Sequence, residues 1–176
     1  MLLLNACAQV KPDAFSENFF TALNHYRMDS LKQMAGFDFR FRNAVIQIPN
    51  ITNEKAFEAY ISTAERYQKK YVLRKVINID QRSFLVEEQG EYLRALGVAY
   101  PKFIFTLTLD EMGRLYKLSI NTTEDYPEYT KRLHEKSEKF EAWRKKKMMQ
   151  PNGLAKYGDP TPAELSAILK EYEKER

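Results

Sequence analysis

Apolar residues first recur along the chain with a helical period. Phe15, Phe19, Ala22, Leu23 and Tyr26 fall on one face behind Asp13, a residue suited to capping a first turn. Asp29 is placed to cap a short second helix bearing Leu31 and Met34, which Gly36 would end. The period then drops to two. Phe37, Phe39 and Phe41 alternate with Asp38, Arg40 and Arg42, the pattern of a half-buried strand, and Ile46 and Ile48 repeat the alternation before Pro49 breaks it. From Thr52 or Asn53, a stripe of Phe57, Tyr60, Ile61, Ala64, Tyr67 and Tyr71 predicts a third helix. Residues 72–80, rich in β-branched side chains, and residues 83–88 read as strands, whereas residues 90–97 fit either a strand or a helical turn. Phe103, Phe105, Leu107 and Leu109 alternate along a further strand. The turn Asp110-Glu111-Met112-Gly113 leads to a last strand in which Tyr116, Leu118 and Ile120 share a face.

Beyond Thr122 the chain changes character. Tyr126, Tyr129, Leu133, Phe140 and Trp143 make a narrow apolar stripe on a charged helix. Breaks follow at Pro151-Asn152-Gly153 and Gly158-Asp159-Pro160. Thr161-Pro162-Ala163-Glu164 then has the capping-box pattern, with proline at the first helical position, and Leu165, Ile168, Leu169 and Tyr172 give that last helix one apolar face.

Two helices, a strand, a helix and then antiparallel strands is an order that resembles the NTF2-like (SnoaL-like) superfamily. The segment Phe19-Phe20-Thr21-Ala22-Leu23-Asn24 followed by Asp29 resembles that family's first helix and its turn, and the hairpin over residues 103–120 resembles its last one. The resemblance implies an α+β fold: a curved antiparallel sheet forming a cone, backed by the N-terminal helices, with a pocket inside the cone. It covers residues 13–122. Residues 1–12 stand apart as an N-terminal segment, and residues 123–176 as a charged helical extension.

Composition narrows the chemistry. Six glycines are present and none cluster into a phosphate-cradling loop, so no nucleotide site is expected. The formal net charge is +4, but the excess is local: residues 131–147 hold eight basic and three acidic side chains, while the remainder is close to neutral. Global charge therefore argues little for nucleic acid as a partner. The basic helix suits a solvated face, an anionic membrane surface or nucleic acid, the last disfavoured because Phe140 and Trp143 lie on the stripe expected to pack inward.

Cys7 is the single cysteine, which excludes an internal disulfide and disfavours a thiolate metal cluster. Its setting, Leu4-Asn5-Ala6-Cys7 after Met1-Leu2-Leu3, resembles the lipobox of bacterial lipoproteins, in which the cysteine receives lipid after cleavage before it. The apolar run is shorter than the roughly 7–15 residues of a signal h-region, and no basic residue precedes it. Lipidation of Cys7 would place the protein in the bacterial cell envelope; without it, a cytoplasmic location is expected.

Enzymes of this superfamily place a carboxylate base and hydrogen-bond donors in an apolar cone, where desolvation strengthens each contact. Laid on the similar stretch of ketosteroid isomerases, the donor tyrosine falls on Phe19 and the base falls near Asn43, and neither can fill the role. Asp80, Glu87 and Glu91 remain as carboxylates that could face the cone, against the simpler reading of solvated strand ends. His25 and His134 read as surface residues, and two histidines so far apart predict no metal site. Tyr26, Tyr60, Tyr67 and Tyr92 are candidates to line a pocket, with Asp80 as its candidate acid. The expectation is a non-catalytic envelope lipoprotein, without cofactor, that binds a small apolar ligand or a protein partner. A homodimer through the open sheet face is a further expectation. The alternative is a cofactor-free isomerase, cyclase or hydrolase on an apolar substrate.

Overall fold

The computed structural model describes residues 11–45, 52–148 and 160–176. Cys7, the alternation at Ile46 and Ile48, and the breaks over residues 151–153 and 158–159 lie outside the described residues.

Asp13 caps α1 (Ala14–Asn24) by accepting the Ser16 N–H at 2.9 Å. It also receives Nε of Arg82 at 2.6 Å, which ties the helix start to the sheet. Helix α2 (Met28–Met34) has no side-chain cap; Asp29 sits inside its first turn, where an acid complements the helix dipole. The chain passes directly into β1 (Ala35–Asn43), so Gly36 lies in the strand and not at a helix end. Thr52 caps α3 (Asn53–Arg66). The left-handed Gln68 (φ 51°) then turns the chain into β2 (Lys70–Asn78). Next come β3 (Ser83–Gln89), α4 (Glu91–Leu96), β4 (Lys102–Leu109), β5 (Leu115–Thr122), α5 (Tyr126–Met148) and α6 (Pro162–Glu175). The ambiguous residues 90–97 are thus a helical turn, closed by Gly97 at φ 64°. The capping box at Thr161 and Glu164 is formed.

The five strands make one open sheet in the order β1-β5-β4-β3-β2, with β1 parallel to β5 and the other pairs antiparallel. This is the expected α+β architecture: a curved, unclosed sheet backed by α1, α2 and α3, carrying a C-terminal helical extension. The inner face and the three helices bury Phe19, Phe20, Leu23, Phe57, Ile61, Phe84, Phe105 and Leu118 with their neighbours in one core. A second core lies outside the sheet. Ala95 and Leu96 of α4, Phe140 of α5 and Leu165, Ile168, Leu169 and Tyr172 of α6 bury one another.

Three residues sit differently from the periodic reading, each for a local reason. The β1–β5 register shifts between Ala35 and Arg40, which breaks the alternation; Phe37 is 97% exposed, while Phe39 and Phe41 pack against the Phe57 ring. A second shift between Thr108 and Leu109 changes the phase of β5, so Leu115 joins Leu118 and Ile120 in the core. Tyr116 is left half-buried with the Arg40 guanidinium 5.3 Å from its ring centroid. Tyr71 belongs to β2 and not to the α3 stripe. Among the described residues no helix is long and apolar enough to cross a membrane.

Candidate functional site

Among the described residues, the inner face of the sheet is packed with aromatic rings. Phe20 meets Phe84 and Phe105 with ring centroids 5.5 and 5.9 Å apart, and Tyr71 contacts Tyr60 at 5.9 Å and Phe105 at 5.7 Å. Tyr60 and Tyr71 are nearly inaccessible, and burial drives both phenols far above their usual pKa. The Tyr71 hydroxyl lacks a hydrogen bond of good geometry, although the Tyr60 hydroxyl is near enough to influence its charge.

A partly enclosed hollow lies at the edge of this core, between the ends of β2 and β3 and the helical extension. There a chamber of about 390 Å³ is floored by Lys69, Glu88 and Gly90, walled by Thr63, Arg66 and Tyr67 from α3 and its end and by Tyr92 and Leu93 from α4, and roofed by α5 and the start of α6. The roof contributes Tyr129, Leu133, Phe140, Glu141 and Arg144 from α5, together with Pro160 and Leu165. This is within the range of small-molecule pockets, of about 300–1,000 Å³.

Its chemical centre is Glu88, which is 8% exposed and held by Lys69 Nζ at 2.7 Å. Strand alternation aims it inward: Phe84 and Val86 are buried on the same face at the preceding alternate positions. Its negative charge, added to burial, raises the pKa of the Tyr126 and Tyr129 phenols. Tyr92 is also pushed up by burial, while its hydroxyl bond with Ser137 Oγ at 3.1 Å works the other way. Arg144 grips Glu141 through Nε and Nη2 at 3.0 and 2.8 Å. Such a lining offers ring faces, hydroxyls and both signs of charge in partial isolation from water, which suits an amphipathic molecule.

The sequence candidates divide across the molecule. Tyr67 and Tyr92 line the chamber, with ring centroids 6.0 Å apart. Tyr60 lies in the filled core beside Tyr71. Tyr26 follows α1 in the left-handed region (φ 54°) and donates to the Lys69 carbonyl at 2.7 Å, steadying the floor from behind. Asp80 is exposed in the turn after β2 and borders a hollow of about 600 Å³, open to solvent, at the other end of that strand. Glu87 faces away and binds Arg74 at 2.6 Å, and that bond holds its carboxyl below the usual range. Glu91 accepts Ser166 Oγ at 3.0 Å, linking α4 to α6. Phe19 is fully buried, Asn43 closes β1, and both histidines are exposed. Glu88 is not among the sequence candidates, and the roof residues Tyr129, Leu133, Phe140 and Leu165 read from sequence only as packing stripes. The signal for Glu88 was its place two residues after Val86 in an inward-facing series.

No family model matches the chain, and no curated protein matches it in sequence. Solved structures similar to it include an NTF2-like protein of unknown function from Cytophaga hutchinsonii, with 14% identity, TM-score 0.47, and coverage of 68% of this chain and 97% of that one. A SnoaL-like protein of unknown function from Burkholderia thailandensis has 15% identity and TM-score 0.44, covering 62% of this chain and 91% of that one. AusH from Aspergillus nidulans has 13% identity and TM-score 0.46, covering 66% of this chain and 97% of that one.

Proposed function

We propose that this protein is a non-catalytic binding protein that holds a small amphipathic molecule in the chamber between its sheet and its C-terminal helices. The observation that carries this reading is the lining of the chamber: ring faces, hydroxyls and the Lys69–Glu88 ion pair surround a partly enclosed volume beneath α5 and α6, beside a ring-packed core. A tether through lipid on Cys7 forms the second half of the proposal and rests on the Leu4-Asn5-Ala6-Cys7 motif. The strongly basic α5 would favour an anionic surface once a lipid held the protein there, at about 1 kcal/mol per well-placed cation.

Native mass spectrometry of the full chain purified from its own cells tests the first half. Bound small molecules are expected, and Leu133→Trp, which fills the chamber, should abolish them without lowering the melting temperature by more than a few degrees. A ligand-free wild type, or adducts undiminished in the variant, would reject the chamber as a binding site. Intact mass tests the second half. A chain beginning at Cys7 with added acyl mass, lost in Cys7→Ala, is the expected outcome, and an unmodified Cys7 in the wild type rejects the tether.

One observation favours a second reading. Glu88 is a buried carboxylate surrounded by tyrosines, the kind of group that serves a cofactor-free isomerase, cyclase or hydrolase. Its ion pair with Lys69 engages the carboxylate, which supports a positioning role over that of a free base.

A further inference from the structure

The chamber carries more positive charge than its own acids balance. Arg66, Lys69 and Arg144 line it with two carboxylates, Glu88 and Glu141. Lys69 is committed to Glu88 at 2.7 Å, and Arg144 is committed to Glu141 through two hydrogen bonds. Arg66 remains. It makes one long hydrogen bond, from Nη2 to the Pro160 carbonyl at 3.4 Å, and no ion pair among the described residues. A guanidinium presents five N–H donors in a planar fork, so most of them make no bond to the described residues. As the last residue of α3, Arg66 gains from the helix dipole, but the dipole occupies none of those donors. Beside it the walls turn apolar, with Tyr92, Leu133, Phe140 and Leu165 facing the same space.

We infer that the chamber takes an anionic amphiphile, a hydrocarbon body ending in one carboxylate, with Arg66 binding the head and Leu133, Phe140 and Leu165 covering the body. This rests on the chamber being a binding site, and it adds the class of ligand. A guanidinium and a carboxylate meet through paired, charge-assisted hydrogen bonds, which a neutral head of similar size cannot reproduce. The neutral pairs Lys69–Glu88 and Arg144–Glu141 leave that one positive charge as what selects the head.

The test compares decanoate with decanol on the full chain, followed by titration calorimetry and by the emission of Trp143, which stacks on Phe140 of the wall at 6.0 Å. Decanoate should bind at least about ten-fold more tightly than decanol, and added salt should narrow the gap. Arg66→Gln should weaken decanoate by about ten-fold and leave decanol unchanged, while Arg66→Lys should retain part of the preference. Equal affinity for the two probes in the wild type overturns the anionic assignment and leaves the chamber as a binding site. A decanoate affinity insensitive to Arg66→Gln overturns the role of Arg66. Failure of both probes to bind overturns the chamber reading together with this one.

Discussion

Tyr71 and Glu88 stand directly opposite each other across the β2–β3 ladder, both buried on the inner face of the sheet. The pair marks a boundary. On the Tyr71 side the interior is packed with rings; on the Glu88 side it opens into the chamber.

Lys69 is what makes a carboxylate tolerable at that boundary. Lys69→Met leaves Glu88 buried without its cation and should cost about 3 kcal/mol of stability. The double variant Lys69→Met with Glu88→Gln should recover most of that loss. Urea unfolding of the wild type, Lys69→Met, Glu88→Gln and the double variant measures the coupling, and a double variant no better than Lys69→Met would show that the pair is not the stabilising unit.

The Tyr71 hydroxyl has no hydrogen bond of good geometry, and only the nearby Tyr60 hydroxyl offsets part of its desolvation. Tyr71→Phe should therefore be neutral or stabilising by up to about 1 kcal/mol. A loss of stability in thermal or urea unfolding would mean that the hydroxyl is satisfied after all.

Burial also gives the tyrosines a pH signature. Tyr60 and Tyr71 are raised well above the ordinary phenol value, so the folded state favours their protonated forms. Their contribution is fully present below about pH 10, the ordinary value, and is lost as pH climbs toward the raised ones. The phenolate absorbance of Tyr60 and Tyr71, read as the difference from the double variant Tyr60→Phe with Tyr71→Phe, should rise only with unfolding, visible as a simultaneous loss of secondary structure by circular dichroism.

Asp13 gives the opposite sign at the acid end. Burial works to raise its carboxyl, but the bonds from Ser16 and Arg82 outweigh it and hold the value below the usual range. Its contribution is thus present above about pH 4 and lost as pH falls through the lowered value. Asp13→Ala should cost about 1–2 kcal/mol at neutral pH, mainly through the lost helix cap. The difference from wild type should shrink toward zero in acid, measured as unfolding free energy against pH.

Periodicity in the sequence was enough to read most of the elements, because long apolar stripes such as that of α3 and alternations such as that of β4 leave few alternatives. It failed where a single extra residue changes the phase. The register shift in β1 sends Phe37 outward, and the one before β5 exchanges Tyr116 for Leu115; a bulge leaves no mark in a hydrophobicity pattern. The site was harder to read for a different reason. Glu88 looks like any strand-end acid until Phe84 and Val86 fix the inward face, and the α5 residues that share its chamber lie some forty residues later. Tyr67 and Tyr92 could be suspected from their chemistry, but their meeting depends on α4, a helix too short to declare itself.

The way α6 is fastened sets when the chamber can exist. Ser166 reaches Glu91 across 75 residues of chain, and Arg176 reaches the Ala95 carbonyl across 81. Contacts this distant in sequence close late, because the entropy of a long loop must be overcome before they form. The sheet can pair and fill its core from residues already synthesised, whereas the roof waits for the C-terminal helix. The chamber is thus a product of a late step of folding, and a nascent chain cannot hold a ligand in it until α6 has been made and docked.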